Sequence, residues 1–313
     1  MVLSNTHLFE LLSAAMPVRA LRSISCVMAK GLDQRGAAVA ALAVVMALTA
    51  SAAQASSADE LSGKLTLLRG PLDRSAFNRP LMLNASDTAN GLQGDVYAIV
   101  DHPLAALSST LSTPDAWCQA MLLHVSNRRC TVSTEAAGST LALSVVRKYD
   151  QPVDSAFRLV FDFRLIDATP QHLQVQLGAS AGPLGTSNYR IAFEAIPADA
   201  AHSFLHFSYS YDENALTSVA MQAYLATFGR SKVGFSVLGR TADGQPEYIR
   251  GMHGLVERNA MRYFLAVDAY LDAPRDAISR RNAWYAATEQ YPRQLHEIDR
   301  QTYLELKAAD DHR

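Results

Sequence analysis

Apolar and polar residues alternate through five consecutive segments in the middle of the chain. These segments are residues 141–149, 157–165, 173–177, 189–195 and 203–211. In the second segment the apolar residues are Phe157, Leu159, Phe161, Phe163 and Leu165, and charged residues stand between them at Arg158, Asp162 and Arg164. Strict alternation is typical of strands with one face in the core and the other in water. Because short polar turns join the segments, the pattern predicts an antiparallel meander.

A different period governs the segment MHGLVERNAMRYFLAVDAYL at residues 252–271. Its apolar positions recur every three or four residues, at Val256, Ala260, Tyr263, Phe264, Val267 and Leu271. This spacing predicts an amphipathic helix. At ~1.5 Å per residue such a helix is about 30 Å long, which is enough to cross a small sheet.

Shorter elements are predicted on either side of the meander and of the long helix. A strand is predicted at residues 94–100, and a hairpin with its turn at residues 241–245. The remaining helical patterns lie at residues 104–112, 113–122, 214–228, 276–290 and 293–308. The second of these helices has a capping residue at Thr113 and a proline at its first position, Pro114.

The N-terminal pattern predicts export. Residues 36–50 are apolar and uncharged, Lys30 and Arg35 precede them, and an A-x-A motif follows at residues 53–55. This arrangement is typical of a secretory signal peptide, here ending near Ala55, with translation starting at Met1, Met16 or Met28. The run is shorter than the ~20 apolar residues of a spanning helix, so a retained anchor is the weaker alternative. We expect a periplasmic or secreted protein.

Charge and size narrow the possible partners. Removal of residues 1–55 takes away four basic and two acidic residues, which leaves 24 basic and 28 acidic residues and a net charge of −4. Such a balance gives no long-range attraction to nucleic acid or anionic lipid. We therefore expect no nucleic-acid partner and at most transient membrane contact, and the sequence identifies no protein partner. The exported chain is long enough for one large domain, with residues 56–80 as a flexible lead-in.

Two of the three cysteines stand close together, at Cys118 and Cys130, and the third, Cys26, lies within the predicted signal peptide. In an oxidising compartment an isolated pair favours a structural disulfide. Closing a ~15-residue loop in this way stabilises a protein by roughly 3 kcal/mol. A metal site is less favoured because only His124 lies between the two cysteines, and a redox pair usually has the spacing C-x-x-C.

The order of elements is a strand, two short helices, an antiparallel sheet and one long helix. Together with the stretches GDVYAIVDHP and GLVERNAMRYFLAVDAYL, this order resembles the START-like (SRPBCC, helix-grip) superfamily. The resemblance implies an α+β fold in which a curved antiparallel sheet wraps around the long helix over residues 81–273. Residues 214–251 would be an insertion that acts as a gate, and residues 274–313 a helical C-terminal extension.

The resemblance also implies a cavity for a hydrophobic small molecule, with a lipid as the expected ligand. The inward positions of the sheet and the apolar stripe of the helix then form the ligand-binding set. That set is Arg147, Tyr149, Phe161, Phe163, Val175, Tyr189, Ile191, Phe193, Phe207, Tyr209, Tyr211, Val256, Asn259, Tyr263, Phe264 and Val267. The polar members need partners when buried, and a ligand is one such partner. The alternative is a solid core in which these side chains satisfy one another.

The sequence predicts no catalytic motif. GASAG at residues 178–182 fits G-x-S-x-G, but no predicted helix follows it as a nucleophile elbow requires. The chain has no P-loop or G-x-G-x-x-G sequence, and no cofactor is predicted. His202 and His206 lie on the solvent-exposed face of one predicted strand. Because no third metal ligand is close in sequence, no metal site is predicted. Glu257 and Arg258 flank the helix stripe and suggest a solvated salt bridge. A cyclase- or hydrolase-type enzyme that uses Asn259, Arg147 or a tyrosine, and an envelope interaction module, remain as alternatives to a binding protein.

Overall fold

The computed structural model describes residues 57–227 and 231–311. The predicted signal peptide and its cleavage site lie outside these ranges. Within them, no helix has both the length and the apolar character needed to cross a bilayer.

Eight strands form one antiparallel sheet in the order β1-β2-β8-β7-β6-β5-β4-β3. The strands are β1 (Leu81–Asp87), β2 (Gly91–Val100), β3 (Asn127–Glu135), β4 (Gly138–Val145), β5 (Phe157–Ala168), β6 (Leu173–Ala181), β7 (Thr186–Pro197) and β8 (Ser203–Glu213). The predicted meander is confirmed as β4 to β8. The two edge strands, β1 and β3, were not predicted, because neither shows strict alternation.

The long predicted helix is also confirmed, as α5 (Gly251–Asp272), when the helices are numbered in chain order. It lies on the inner face of the sheet across β1, β2 and β8. The closest approach is at Gly94 of β2, where an added Cβ would come within 2.9 Å of the Ala260 Cβ. The absence of a side chain at Gly94 thus permits the helix to rest on the sheet. The curved sheet and the long helix together make the helix-grip arrangement that the resemblance implies.

Two short helices, α2 (Leu104–Leu111) and α3 (Pro114–Met121), connect β2 to β3. Thr113 caps α3 by accepting a hydrogen bond from the Ala116 backbone N–H, as predicted. A disulfide joins Cys118 of α3 to Cys130 of β3 with a Cα–Cα distance of 5.6 Å, which confirms the predicted pairing. The bond fixes α3 against the edge of the sheet.

The expectation of a flexible lead-in at residues 56–80 is not met, since Ser57–Asp73 form a helix, α1. Its buried residues Leu61, Leu65 and Leu72 pack against Ile196 and Phe204 on the outer face of the sheet. The leucines stand at helical spacing, and the matching apolar patch lies on a face that alternation assigns to water. Burial of this patch provides the stability that a lone polar helix lacks.

The insertion consists of α4 (Ala215–Ala226) and a hairpin of β9 (Val237–Arg240) and β10 (Pro246–Tyr248). Glu257 and Arg258 of α5 were expected in a solvated salt bridge, but both are buried. The Glu257 carboxylate accepts hydrogen bonds from the backbone N–H groups of Phe235 (2.5 Å) and Ser236 (3.0 Å). Arg258 donates to the Val233 carbonyl at 3.1 Å. The pair therefore fastens the insertion to the long helix.

The C-terminal extension contains α6 (Ala277–Glu289), α7 (Pro292–Leu295) and α8 (Arg300–Asp310). A single helix was expected over residues 293–308, but the chain leaves the helical conformation between α7 and α8. Asp299 starts α8 as a capping residue, because its side chain accepts a hydrogen bond from the Thr302 backbone N–H at 3.0 Å. The extension packs on α5 and on β3.

Candidate ligand site between the sheet and the long helix

A small cavity lies between the inner face of the sheet, α3 and α5. Its volume is about 10 Å³, and it is lined by Trp117, Ala120, Met121, Ile191, Phe207, Tyr263, Ala266 and Val267. A cavity needs roughly 10–15 Å³ to hold one water molecule. The interior of the fold is therefore almost completely filled by its own side chains.

Most of the predicted ligand-binding residues face this interior. Those belonging to the same hydrophobic core are Phe161, Phe163, Val175, Tyr189, Ile191, Phe193, Phe207, Tyr209, Tyr211, Val256, Tyr263, Phe264 and Val267. Ile191, Phe207, Tyr263 and Val267 line the cavity itself. Asn259 is half-buried on α5 and hydrogen-bonds the Tyr209 side chain.

Arg147 and Tyr149 were placed on the inner face wrongly. Strand β4 ends at Val145, and both residues are exposed in the connection to β5. The Gln151 side chain accepts a hydrogen bond from the Arg147 backbone N–H at 3.0 Å, and this turn ends the alternation. The Tyr149 carbonyl accepts from the Arg128 guanidinium at 2.6 Å, outside the cavity.

The prediction missed the wall that α3 and Ala266 contribute. Trp117, Ala120 and Met121 come from α3 and meet α5 across the cavity. The apolar face of this helix was visible in the sequence through Trp117 and Met121. Its position over the sheet was not, because it depends on the turn after β2 and on the Cys118–Cys130 bond.

Four tyrosine rings form a cluster beside the cavity. The ring centroids are 5.5 Å apart for Tyr189 and Tyr211, 6.0 Å for Tyr209 and Tyr211, and 5.6 Å for Tyr209 and Tyr263. Burial raises the pKa of Tyr189 to about 12 and also raises the pKa values of Tyr209, Tyr211 and Tyr263. The hydroxyl groups are therefore neutral at physiological pH.

Hydrogen bonds already occupy part of this cluster. The Thr186 hydroxyl donates to the Pro183 carbonyl at 2.5 Å, so the Tyr189 hydroxyl, 2.8 Å away, must donate to Thr186. Asn127 lies within hydrogen-bonding reach of Tyr263. The cluster is thus a polar region on an otherwise apolar wall.

The His124 imidazole packs against the ring of Tyr263. The two rings stack with centroids 5.5 Å apart, and the His124 Nδ1 accepts a hydrogen bond from the Ser126 backbone N–H at 3.1 Å. Burial lowers the pKa of His124 to about 4, so the imidazole is neutral. Since Nδ1 is the acceptor, the proton of the neutral ring resides on Nε2.

The insertion covers one end of the interior. Met221 of α4 packs against the core that contains the tyrosine cluster. At the start of the insertion the Asn214 amide donates to the Gly185 carbonyl at 3.2 Å, and at residues 233–236 Glu257 and Arg258 hold the chain. Helix α4 therefore lies between two points of attachment.

The described residues bring together no three His, Cys, Asp or Glu side chains in an arrangement suited to a metal ion. His206, which was considered as a ligand, instead pairs with Asp95 on the outer face at 2.7 Å. Nothing in the cavity lining pairs a nucleophile with a base.

The architecture identifies the kind of fold. It is a helix-grip arrangement, in which one antiparallel sheet packs around one long helix. No protein-family model matches the chain, and no curated protein matches its sequence. Among solved structures, norcoclaurine synthase from Thalictrum flavum is 15% identical with a TM-score of 0.32, covering 45% of this chain and 80% of its own. Ara h 8.0201 is 11% identical with a TM-score of 0.35, covering 62% and 99%. A START superfamily protein from Mycobacterium smegmatis is 13% identical with a TM-score of 0.30, covering 44% and 95%.

Proposed function

We propose that the protein binds a hydrophobic small molecule, of which a lipid is the leading class, between the inner face of the sheet and α5. The observation that carries the proposal is the composition of the cavity lining. Apolar side chains from the sheet, α3 and α5 converge on one cavity, and a cluster of neutral tyrosines borders it at Tyr263. Ligand sites commonly combine an apolar lining with a few convergent polar groups.

Ligand uptake requires the interior to open. The cavity of about 10 Å³ is far below the roughly 300–1,000 Å³ of ordinary ligand pockets. We assign the opening movement to α4, because the hydrogen bonds that hold the insertion lie before this helix at Asn214 and after it at residues 233–236, and its Met221 side chain packs against the core. Movement of α4 away from the core would expose the core residues beneath Met221 without unfolding the sheet.

We also propose that the protein acts in the periplasm or after secretion. The N-terminal sequence pattern supports export. The Cys118–Cys130 bond supports an oxidising compartment, because structural disulfides are rare in the cytosol.

The test is a binding titration with the fluorescent probe N-phenylnaphthylamine, together with native mass spectrometry of the gently purified protein. We expect saturable binding and a co-purified small molecule. Ala266→Val fills the cavity and should weaken probe binding severalfold, whereas Ala286→Val, at an exposed position of α6, should not. Thermal melts establish that both variants fold. An absence of saturable binding to the unmodified protein would reject the proposal.

The filled core favours a second function, that of an interaction module in the cell envelope. A solid interior can support a docking surface without taking up any ligand. Recovery of a stoichiometric protein partner from envelope extracts, together with failure of the probe titration, would favour this function over ligand binding.

A further inference from the structure

Strand β3 forms an open edge of the sheet. It is the last strand in the sheet order and is paired with β4 on one side. Arg129, Thr131, Ser133 and Glu135 of this strand are exposed. In an antiparallel pair, every second residue directs its backbone N–H and C=O groups away from the partner strand. The outer side of β3 therefore presents a row of backbone donors and acceptors to which another strand can bind.

The sequence of β3 lacks the features that usually protect an edge strand. Natural edges are protected by lysine or proline, by bulges or by short length. β3 has nine residues, and residues 130–134, CTVST, contain neither a charge nor a proline. The irregularity in its pairing with β4 lies before this segment, between Asn127 and Arg129. At the opposite edge of the sheet, the Ser75 hydroxyl donates to the Leu81 carbonyl of β1 at 2.6 Å, and α5 packs on that strand.

The first half of β3 is held in place by the rest of the fold. Cys130 is bonded to α3 through the disulfide, the Asn127 carbonyl accepts from Lys307 at 2.7 Å, and Arg128 pairs with Asp310 at 2.8 Å. These contacts lie at residues 127–130 and leave the second half of the strand largely exposed. A strand that is already fixed loses little conformational freedom when it pairs with another chain.

The charges of β3 are complementary to those of a second copy. Arg129 and Glu135 are exposed, and within residues 57–227 and 231–311 neither side chain forms an ion pair. If two copies of β3 pair antiparallel with Val132 opposite Val132, each Arg129 lies opposite the Glu135 of the other copy. Opposite charges placed directly across a ladder stabilise the pairing. The two half-buried Val132 side chains, which pack against the core, would also meet.

We propose that the protein forms a dimer in which β3 pairs antiparallel with β3 of a second copy and joins the two eight-stranded sheets. Such a two-fold interface is closed, so assembly stops at two copies. The turn after β3, at Ala136 and Ala137, would then extend past Arg129 of the other copy. It would lie beside a groove of about 610 Å³ that Arg129, Pro152 and Leu306 help to line. This inference is independent of ligand binding.

The experiment is sedimentation velocity of the unmodified protein over a range of concentrations, together with charge-reversal variants. We expect a monomer–dimer equilibrium. Arg129→Glu places two carboxylates opposite each other and should raise the dissociation constant of the dimer at least about tenfold. Glu135→Arg should do the same. The double variant Arg129→Glu/Glu135→Arg restores opposite charges and should return the dissociation constant to within about threefold of the unmodified value.

Arg158→Glu is the matched control, because Arg158 is exposed on β5, which has strands on both sides. It makes the same change of charge and should leave the dimer unchanged. Thermal melts establish that all the variants fold. A protein that stays monomeric up to about 0.1 mM would overturn the proposal. A dimer that resists both single reversals, or that the double reversal does not restore, would also overturn it.

Discussion

The Lys307 ammonium group on α8 donates hydrogen bonds to the backbone carbonyls of His124 and Asn127, each at 2.7 Å. His124 belongs to the connection between α3 and β3, and Asn127 is the first residue of β3. Arg128 strengthens the same contact by pairing with Asp310 at 2.8 Å. The C-terminal extension is thus bonded directly to the segment that positions Tyr263's neighbours.

Replacement of Lys307 by alanine should destabilise the fold. Two buried carbonyls lose the Lys307 donor, although the His124 carbonyl still accepts from the Asn127 backbone N–H at 3.0 Å. Each lost buried hydrogen bond costs roughly 1–3 kcal/mol. We expect the free energy of unfolding in urea to fall by about 2–4 kcal/mol. Arg69→Ala, at an exposed position of α1, is the control and should change it by less than about 0.5 kcal/mol. Equal stability of the two variants would show that the bonds of Lys307 contribute little.

Acid should weaken the fold through His124. Burial lowers the pKa of His124 from 6.5 to about 4. Between these two pH values the unfolded chain binds the proton and the native protein does not, so stability falls as the pH drops through this window. His124→Phe retains a ring against Tyr263 but cannot titrate. The unfolding free energy of this variant, measured from pH 6.5 to 4, should decline less steeply than that of the unmodified protein, and parallel curves would contradict the assignment.

Shortening Met121 should enlarge the cavity. Met121 is buried and lines it, so Met121→Ala removes side-chain volume from both the core and the ligand site. We expect a loss of about 2–5 kcal/mol in stability. The same change should tighten N-phenylnaphthylamine binding. Met252→Ala, a buried methionine at the start of α5 outside the lining, serves as the control and should destabilise without tightening.

Glu257→Gln should release the insertion. A neutral amide replaces one carboxylate oxygen with an NH₂ group that opposes the backbone N–H groups of Phe235 and Ser236. We expect faster trypsin cleavage within the insertion and faster uptake of the probe. Glu247→Gln, on the exposed surface of β10, should behave like the unmodified protein. Unchanged cleavage in Glu257→Gln would indicate that other contacts suffice to hold the insertion.

Removal of the disulfide tests its structural role. In the chain-entropy model a cross-link of this length is worth roughly 3 kcal/mol. Double replacement Cys118→Ala/Cys130→Ala should lower the free energy of unfolding by about that amount. Dithiothreitol should destabilise the unmodified protein similarly and leave the double variant unaffected. A dithiothreitol effect on the double variant would point to another cause.

The central strands and the long helix were predictable because their patterns describe a one-sided burial that the fold actually provides. Phe161, Phe193 and Phe207 occupy the inner face as their parity requires. The parity of a strand carries no information about where the strand ends. Arg147 and Tyr149 were therefore assigned to the inner face although β4 stops at Val145.

Other differences arise from contacts between segments that are distant in sequence. The leucines of α1 have a helical period, but their partners Ile196 and Phe204 lie on a face that alternation assigns to water. From its position beside the apolar stripe, Glu257 is predicted to be a surface residue. It is buried because the insertion supplies two backbone N–H donors to its carboxylate. The size of the cavity depends on the packing of Trp117 and Met121 from α3, which no local pattern specifies.

The position of α1 affects how the protein can be shortened. A truncated form that began at β1 would retain every strand and the long helix. It would, however, expose Phe204 and Ile196 to solvent on the outer face of the sheet. An exposed hydrophobic patch of this kind would favour self-association of the truncated protein. Helix α1, which directly follows the predicted cleavage site, is therefore a structural part of the folded domain and should be retained in any shortened form.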